Sequence, residues 1–340
     1  MCVKKIPLPS PEEIKRELPL APKEANFIKR SRLQAQQIVS GSSSLLAVIL
    51  GPCSIDDEEA AIEYGLRLQA LSMAVRDSMF LVMRAFIEKP RTQLGWKGIL
   101  YDPHLDGSHN IEEGIRRSRK LFLKLASLEI PCACELLDPL AAEYFSDVIC
   151  WGFVGARTSA SPIHRQMASG LDFPIGFKNS LHGEVDVAAA GVLAAKAPHV
   201  YLGISPKGTI SSLETLGNPW THVVLRGAQT KSNFDERSIA KAELLLKNYQ
   251  LPPRLLIDCA HGNSGKNPFE QKVAFESVFR QIRGGSQSIF GVMLESYLAS
   301  GNQPLKKLHY GVSVTDPCLG WQETEDLIYS VCSSMSSLQK

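Results

Sequence analysis

What most limits the fold of this chain is a rhythm. From Leu45 onward, short runs rich in Val, Ile, Leu and Phe alternate with longer stretches of helical period. Parallel strands cannot be joined by a tight turn and need a crossover helix, so this alternation predicts strand-helix units around a parallel sheet. Nine runs qualify as strands: 45–52, 79–86, 131–137, 151–156, 174–178, 199–205, 221–226, 254–259 and 289–295. Asp56-Asp57-Glu58-Glu59 puts negative charge where a helix N-terminus favours it, ahead of an apolar stripe through Ala60, Ile62, Tyr64, Leu66, Leu68 and Leu71. Asn110 and Asp235 can cap helices over 111–129 and 236–249, and helical stretches also fit 139–148, 161–169, 184–196, 268–283 and 322–336.

The C-terminal end of a parallel barrel strand is where chemistry is placed. Eight of the runs end at or beside Cys53, Arg84 (with Lys89 just beyond), Glu135, Arg157, Lys178, Arg226, His261 and Glu295. The ninth, 199–205, ends in Ser205-Pro206-Lys207-Gly208 and can fold back on 208–214 as a hairpin, before a turn signal at Gly217-Asn218-Pro219. Eight strands are left, the number that closes a barrel. The expected class is therefore α/β, one (β/α)8 TIM barrel over 45–340 with a β-hairpin inserted near 199–220. Residues 1–44 read as an N-terminal arm, with Pro7, Pro9, Pro11, Pro19 and Pro22 around the approach to a short helical stretch near 24–39. The connection 87–109 is long for a compact domain and holds Lys89-Pro90-Arg91-Thr92, Gly95, Gly98, Pro103 and Gly107; loops of that length are usually functional or disordered.

Charge narrows the partners. With 37 Lys+Arg against 35 Asp+Glu the net charge is +2, so no broad field for nucleic acid or an anionic membrane is expected. The longest uncharged stretch, between Arg32 and Asp56, is broken by serines and Gly51-Pro52 and cannot form an apolar spanning helix. No secretory leader pattern opens the chain, and the eight cysteines include no Cys-x-x-Cys, so a reducing cytoplasm is the expected compartment.

The strand-end residues divide into two chemical sets. Cys53, His261 and Glu295, joined by Asp316 in Ser313-Val314-Thr315-Asp316, offer a thiolate, an imidazole and two carboxylates, a mixed donor set suited to a divalent transition metal and ill suited to magnesium. Arg84, Lys89, Arg91, Arg157, Lys178 and Arg226 are cations, several of them closing apolar runs such as Phe80-Leu81-Val82-Met83-Arg84. Cations converging inside a barrel call for anions, and a mixture of guanidinium forks and ammonium point charges suits small substrates with several negative charges, such as two phosphates.

These residues sit in a recognisable series. Gly51-Pro52-Cys53-Ser54, Val82-Met83-Arg84, Glu88-Lys89-Pro90-Arg91-Thr92 with Gly95-Trp96-Lys97-Gly98, Gly155-Ala156-Arg157-Thr158, Gly176-Phe177-Lys178-Asn179, Leu225-Arg226-Gly227, Asp258-Cys259-Ala260-His261-Gly262-Asn263-Ser264 and Gly291-Val292-Met293-Leu294-Glu295-Ser296 occur in order. Together, from about residue 12 to 330, they resemble the class I, amino-acid-regulated type of 3-deoxy-D-arabino-heptulosonate 7-phosphate (DAHP) synthase. The resemblance implies the first step of the shikimate pathway, in which phosphoenolpyruvate, D-erythrose 4-phosphate and water give DAHP and phosphate. It implies Cys53, His261, Glu295 and Asp316 as ligands of a divalent metal, with manganese, iron, cobalt and zinc all open. Arg157 and Arg226, with backbone donors near Glu135 and Ala156, match the phosphoenolpyruvate phosphate site, and Arg84, Lys89 and Lys178 match its carboxylate side. Lys89-Pro90-Arg91-Thr92 matches the grip on erythrose 4-phosphate; Lys89, Cys53 and His261 are the implied catalytic residues, with Lys89 the candidate proton shuttle.

A related barrel that condenses phosphoenolpyruvate with arabinose 5-phosphate usually shows Lys-Ala-Asn-Arg-Ser where this chain has Lys89-Pro90-Arg91-Thr92. A non-catalytic regulator is the alternative from another class, and the presence of every ligand and cation argues against it. The chain departs from the family at Ser180-Leu181-His182-Gly183 and at Arg226-Gly227-Ala228, away from the matched ligands. The arm at 1–44 is expected in subunit contacts and regulation, as a homodimer or homotetramer. Which aromatic amino acid acts as effector, if any does, is left open.

Overall fold

The computed structural model describes residues 4–335, with side chains described as far as Cys332. The strands in chain order are β1 (Leu46–Gly51), β2 (Met79–Arg84), β3 (Cys132–Glu135), β4 (Trp151–Val154), β5 (Ile175–Lys178), β6 (His199–Ile204), β7 (Ile210–Thr215), β8 (Thr221–Leu225), β9 (Leu255–Asp258) and β10 (Ile289–Glu295). The helices are α1 (Pro11–Glu17), α2 (Pro22–Ser40), α3 (Glu58–Val75), α4 (Ile111–Ser127), α5 (Pro139–Phe145), α6 (Pro162–Ser169), α7 (Val185–Lys196), α8 (Glu236–Asn248), α9 (Glu270–Arg283) and α10 (Trp321–Met335).

Eight strands pair in parallel and close in the order β1-β10-β9-β8-β5-β4-β3-β2. A strand in such a barrel is covered on both faces, by the packed interior and by the helix ring. That is why the runs are continuously apolar rather than alternating, and why all residues of β1, β3, β4, β5, β8, β9 and β10 are buried. The remaining two strands form the expected antiparallel hairpin, paired from His199 with Thr215 to Ile204 with Ile210, between α7 and β8. The two expected caps are made, Asn110 accepting from Glu113 N and Asp235 from Ser238 N, and Asp57 also caps α3, accepting from Glu59 N and Ala60 N.

The N-terminal segment is more ordered than its prolines suggested. Pro11 opens α1 after Ser10, whose hydroxyl caps Glu13 N while the Glu13 carboxylate accepts from Ser10 N, a reciprocal capping box. Helix α2 lies across the N-terminal mouth of the barrel. Its Ala35, Ile38 and Val39 join the inward side chains Ala47, Ile49, Trp151, Phe290 and Met293 in one apolar cluster. Arg32 reaches Ile149 O and Asp172 ahead of β4 and β5, while Arg254, ahead of β9, donates to Val39 O. The floor of the barrel is thus sealed by α2, and the opposite face is the open one. No described helix is long and apolar enough to cross a membrane.

Candidate active site

At the C-terminal ends of the strands lies a cavity of about 430 Å³. Its wall includes Arg84, Lys89, Pro90, Arg91, Thr92, Glu135, Ala156, Arg157, Lys178, Arg226, His261 and Asp316, so the barrel brings together residues up to 232 positions apart in sequence, from Arg84 to Asp316. Cys53 and Glu295 lie beneath it, at 0% and 2% exposure.

Cys53, Glu295 and Asp316 each place one ligand atom within 4.8 Å of the others. His261 adjoins this trio, with Nε2 3.5 Å from Glu295 Oε1. Of the four expected ligands, three form the tight cluster and the fourth stands at its edge. The Lys89 ammonium lies over the same spot, 2.6 Å from Cys53 Sγ and 3.6 Å from Asp316 Oδ2. Glu295 Oε1 is buried without a well-aligned hydrogen bond, although Arg84 Nη2 stands 3.1 Å away. A buried soft cysteine sulfur, an imidazole edge and two carboxylates with an unsatisfied oxygen fit a divalent transition metal.

The electrostatics have the same focus. Burial, reinforced by the charge of Glu295, pushes the Cys53 thiol pKa up. Burial opposes the charge on Lys89, but Cys53, Asp316 and Glu295 outweigh it and hold the lysine pKa above its ordinary value. For Asp316, burial is likewise overcome by Lys89, His261 and Lys266, which keep the carboxyl ionised far below the usual range. This is a polyionic site in which cations and anions stabilise one another in place of water.

The basic wall has a different character. Arg91, Arg157 and Arg226 form no ion pair among the described residues, and burial lowers the Arg226 pKa. Arg226 is buried and Arg91 and Arg157 are exposed at the cavity rim; guanidinium groups without carboxylate partners around one cavity suit an incoming anion. Arg157 Nε donates to Thr92 Oγ1 at 2.8 Å, so the long β2-α4 connection touches the β4 end. That connection is itself folded tightly: Lys89 N donates to Lys97 O, Arg91 Nε to Trp96 O, and Trp96 Nε1 to Asp102 O. Gly98 makes the loop possible. Its φ is +105°, and a Cβ there would sit 2.3 Å from Ile87 O. On the far wall Gly227, at φ +75°, lets the loop after β8 pack on Gly262, which puts Arg226 beside the His261 loop.

Two residues that the strand-end reading passed over belong to this site. Asp258, the last residue of β9, is fully buried with Oδ2 2.9 Å from His261 Nδ1 and 3.0 Å from Lys178 Nζ. Despite the cost of burial, His261 and Lys178 hold its pKa well below the ordinary carboxylate value. Lys266, at the cavity rim, lies 3.1 Å from Asp316 Oδ1. Asp258 was findable, since an acid ending a strand three residues before a candidate ligand histidine has the spacing of an orienting partner. Lys266 gave no such signal, because its approach to Asp316 is made by loops 50 positions apart.

Comparison with known proteins identifies the family. Residues 21–328 match the model of the DAHP synthetase I family. The chain is 43% identical over 328 residues to the Tyr-sensitive phospho-2-dehydro-3-deoxyheptonate aldolase of Escherichia coli strain K12, covering 95% of this chain and 92% of that protein. Its identity to the Trp-sensitive enzyme of the same strain is 40% over 333 residues, covering 97% and 95%. A solved phospho-2-dehydro-3-deoxyheptonate aldolase from Francisella tularensis SCHU S4 superposes with a TM-score of 0.95 at 38% identity, covering 98% of each chain.

Proposed function

This chain belongs to the DAHP synthetase I family, and from that premise we propose how its cavity carries out the family's reaction. It is a DAHP synthase: phosphoenolpyruvate and D-erythrose 4-phosphate condense with water to give DAHP and phosphate, at the entry to the shikimate pathway and aromatic amino acid biosynthesis. The observation that carries the assignment of roles is the meeting, in one cavity, of three guanidinium groups without ion-pair partners among the described residues and a cysteine-carboxylate cluster beneath them.

In this reading Arg157 and Arg226, with backbone donors near Glu135 and Ala156, bind the phosphate of phosphoenolpyruvate, and Arg84, Lys89 and Lys178 face its carboxylate. Arg91 and Thr92, with Pro90 shaping the turn, grip the phosphate of erythrose 4-phosphate. Cys53, His261, Glu295 and Asp316 would hold the divalent metal, which when bound supplies Lewis acidity toward the aldehyde oxygen. With both substrates fixed, the C2=C3 π pair of phosphoenolpyruvate forms a bond from C3 to the aldehyde carbon, whose carbonyl π pair moves onto oxygen, and C2 is left cationic. Lys89, beside Cys53, gives that oxygen its proton. Water adds at the cationic C2 and loses one proton, which replaces the one Lys89 gave; phosphate then leaves with the C2–O bond pair and the remaining hydroxyl proton, and C2 becomes the ketone carbonyl. The arginines need little reorganisation as charge shifts, because their positions are set by the barrel before substrate arrives.

Manganese, iron, cobalt and zinc all suit the donor set, and availability decides among them. The Tyr- and Trp-sensitive relatives support an aromatic amino acid as effector. A homodimer or homotetramer, with residues 1–44 at its contacts, in the cytoplasm, completes the reading. Replacing Lys89 with Met tests the catalytic assignment: turnover should be abolished while metal is retained, and near-normal turnover would refute the proton role.

A further inference from the structure

One buried carboxylate stands between the two halves of the site. Asp258 Oδ2 is 2.9 Å from His261 Nδ1 on one side and 3.0 Å from Lys178 Nζ on the other. The carboxylate cannot swing away to choose one of them. Its other oxygen accepts from Ala260 N at 3.1 Å, and its backbone carbonyl accepts from Asn263 Nδ2 at 2.9 Å. Lys178 forms no other ion pair among the described residues. His261 sits at φ +55°, in the left-handed region that non-glycine residues rarely adopt.

We infer that Asp258 is a positioning residue shared by the metal site and the phosphoenolpyruvate site, setting the ring of His261 and the ammonium of Lys178 through a single oxygen. The inference rests on the reading of His261 as a metal ligand and Lys178 as a phosphoenolpyruvate lysine. Nδ1 stands 2.9 Å from the carboxylate but is not aligned for a hydrogen bond; with the ring turned to align the two, Nδ1 carries the proton and the lone pair of Nε2 faces Glu295 and the ligand cluster. Orienting partners of this kind raise ligand basicity and fix the tautomer. Lys178 draws on the same oxygen, so whatever loosens the lysine frees the carboxylate for the histidine, and the two sites become energetically linked.

The test measures Mn²⁺ binding to the metal-free full-length chain, by the signal of free Mn²⁺ in paramagnetic resonance, together with KM for phosphoenolpyruvate at saturating Mn²⁺. Asp258→Asn keeps the shape and removes the charge. It should weaken Mn²⁺ binding by about 10- to 100-fold and also raise KM for phosphoenolpyruvate. Lys178→Gln should tighten Mn²⁺ binding in the wild-type background and leave it unchanged in the Asp258→Asn background, the signature of coupling through that carboxylate. An unchanged Mn²⁺ affinity in folded Asp258→Asn, a change in only one of the two sites, or an equal effect of Lys178→Gln in both backgrounds overturns the inference. If Asp258→Asn does not fold, Lys178→Gln alone decides, and failure to tighten Mn²⁺ overturns it. His261→Ala separates the two levels: if it leaves Mn²⁺ affinity intact, the ligand assignment is wrong rather than the sharing.

Discussion

The floor of the barrel contains a histidine that must stay neutral. His222 points inward from β8 at 2% exposure, edge-on to Phe290 at 5.1 Å and to Trp151 at 5.5 Å between ring centroids. Its Nδ1 lies 3.3 Å from Trp220 O, and Nε2 has no hydrogen-bond partner. Burial, helped by the charges of Lys196 and Arg254, pulls its pKa from 6.5 down to about 3, against the opposing pull of the Trp220 carbonyl. Above pH 6.5 neither the folded nor the unfolded chain protonates this ring, and it contributes nothing to pH dependence. As pH falls below 6.5 the unfolded chain takes up a proton that the folded chain refuses until about pH 3, so stability drops through that window. Each pH unit is about 1.36 kcal/mol, which makes the loss about 2 kcal/mol at pH 5 and about 3 at pH 4. With an unfolding entropy of roughly 2.1 cal/mol/K per residue, a chain of 340 residues loses about 3 °C of Tm from this one group on going from pH 7 to pH 5. His222→Phe removes the titration. Its ring must crowd Gly176, where even a methyl would stand 2.8 Å from Nε2, and that packing cost of about 1–3 kcal/mol does not vary with pH. The quantity to compare is therefore the slope. Thermal unfolding of both proteins at pH 8, 7, 6 and 5 should show the wild type falling about 3 °C further than the variant between pH 7 and pH 5, and parallel curves would refute the reasoning.

Two further outcomes follow from the same packing. Gly98→Ala forces a Cβ to within 2.3 Å of Ile87 O at a φ of +105°, so the segment that carries Lys89 to Thr92 must move. A displacement of about 1 Å should cost on the order of 100-fold in kcat/KM for erythrose 4-phosphate, and unchanged steady-state kinetics would show that the loop position does not matter. Ile38→Ala opens a void beneath the fully buried α2 face and should cost about 2–5 kcal/mol of stability with kcat unchanged; thermal unfolding and a rate assay check both halves.

The barrel was legible because its strands are buried on both faces, so each appears as an uninterrupted apolar run that a helix-period stretch then separates from the next. The hairpin was legible from Ser205-Pro206-Lys207-Gly208 and from the surplus of one strand. What the runs overstated is length. The run 131–137 pairs only over Cys132–Glu135, because Leu136 and Leu137 are apolar residues that already belong to the loop. Helix α1 was missed although Ser10-Pro11-Glu12-Glu13 carries its cap signal, since the surrounding prolines dominated the reading of that segment. At the site, the convergence of strand-end cations with Cys53, His261 and Glu295 could be read because a parallel barrel sends every strand end to the same face. Asp258 escaped notice because it ends the strand inside the wall, where its role is defined by neighbours on β5 and in the following loop rather than by the cavity. The contact of Thr92 with Arg157 depends on how a loop of some twenty residues folds back, which no local pattern specifies.

The most direct test of the account follows the consumption of phosphoenolpyruvate with erythrose 4-phosphate and, separately, with arabinose 5-phosphate, each with and without EDTA. Rapid consumption is expected with erythrose 4-phosphate only, lost on chelation and restored by a divalent transition metal. Preference for arabinose 5-phosphate, or full activity in EDTA, would contradict it.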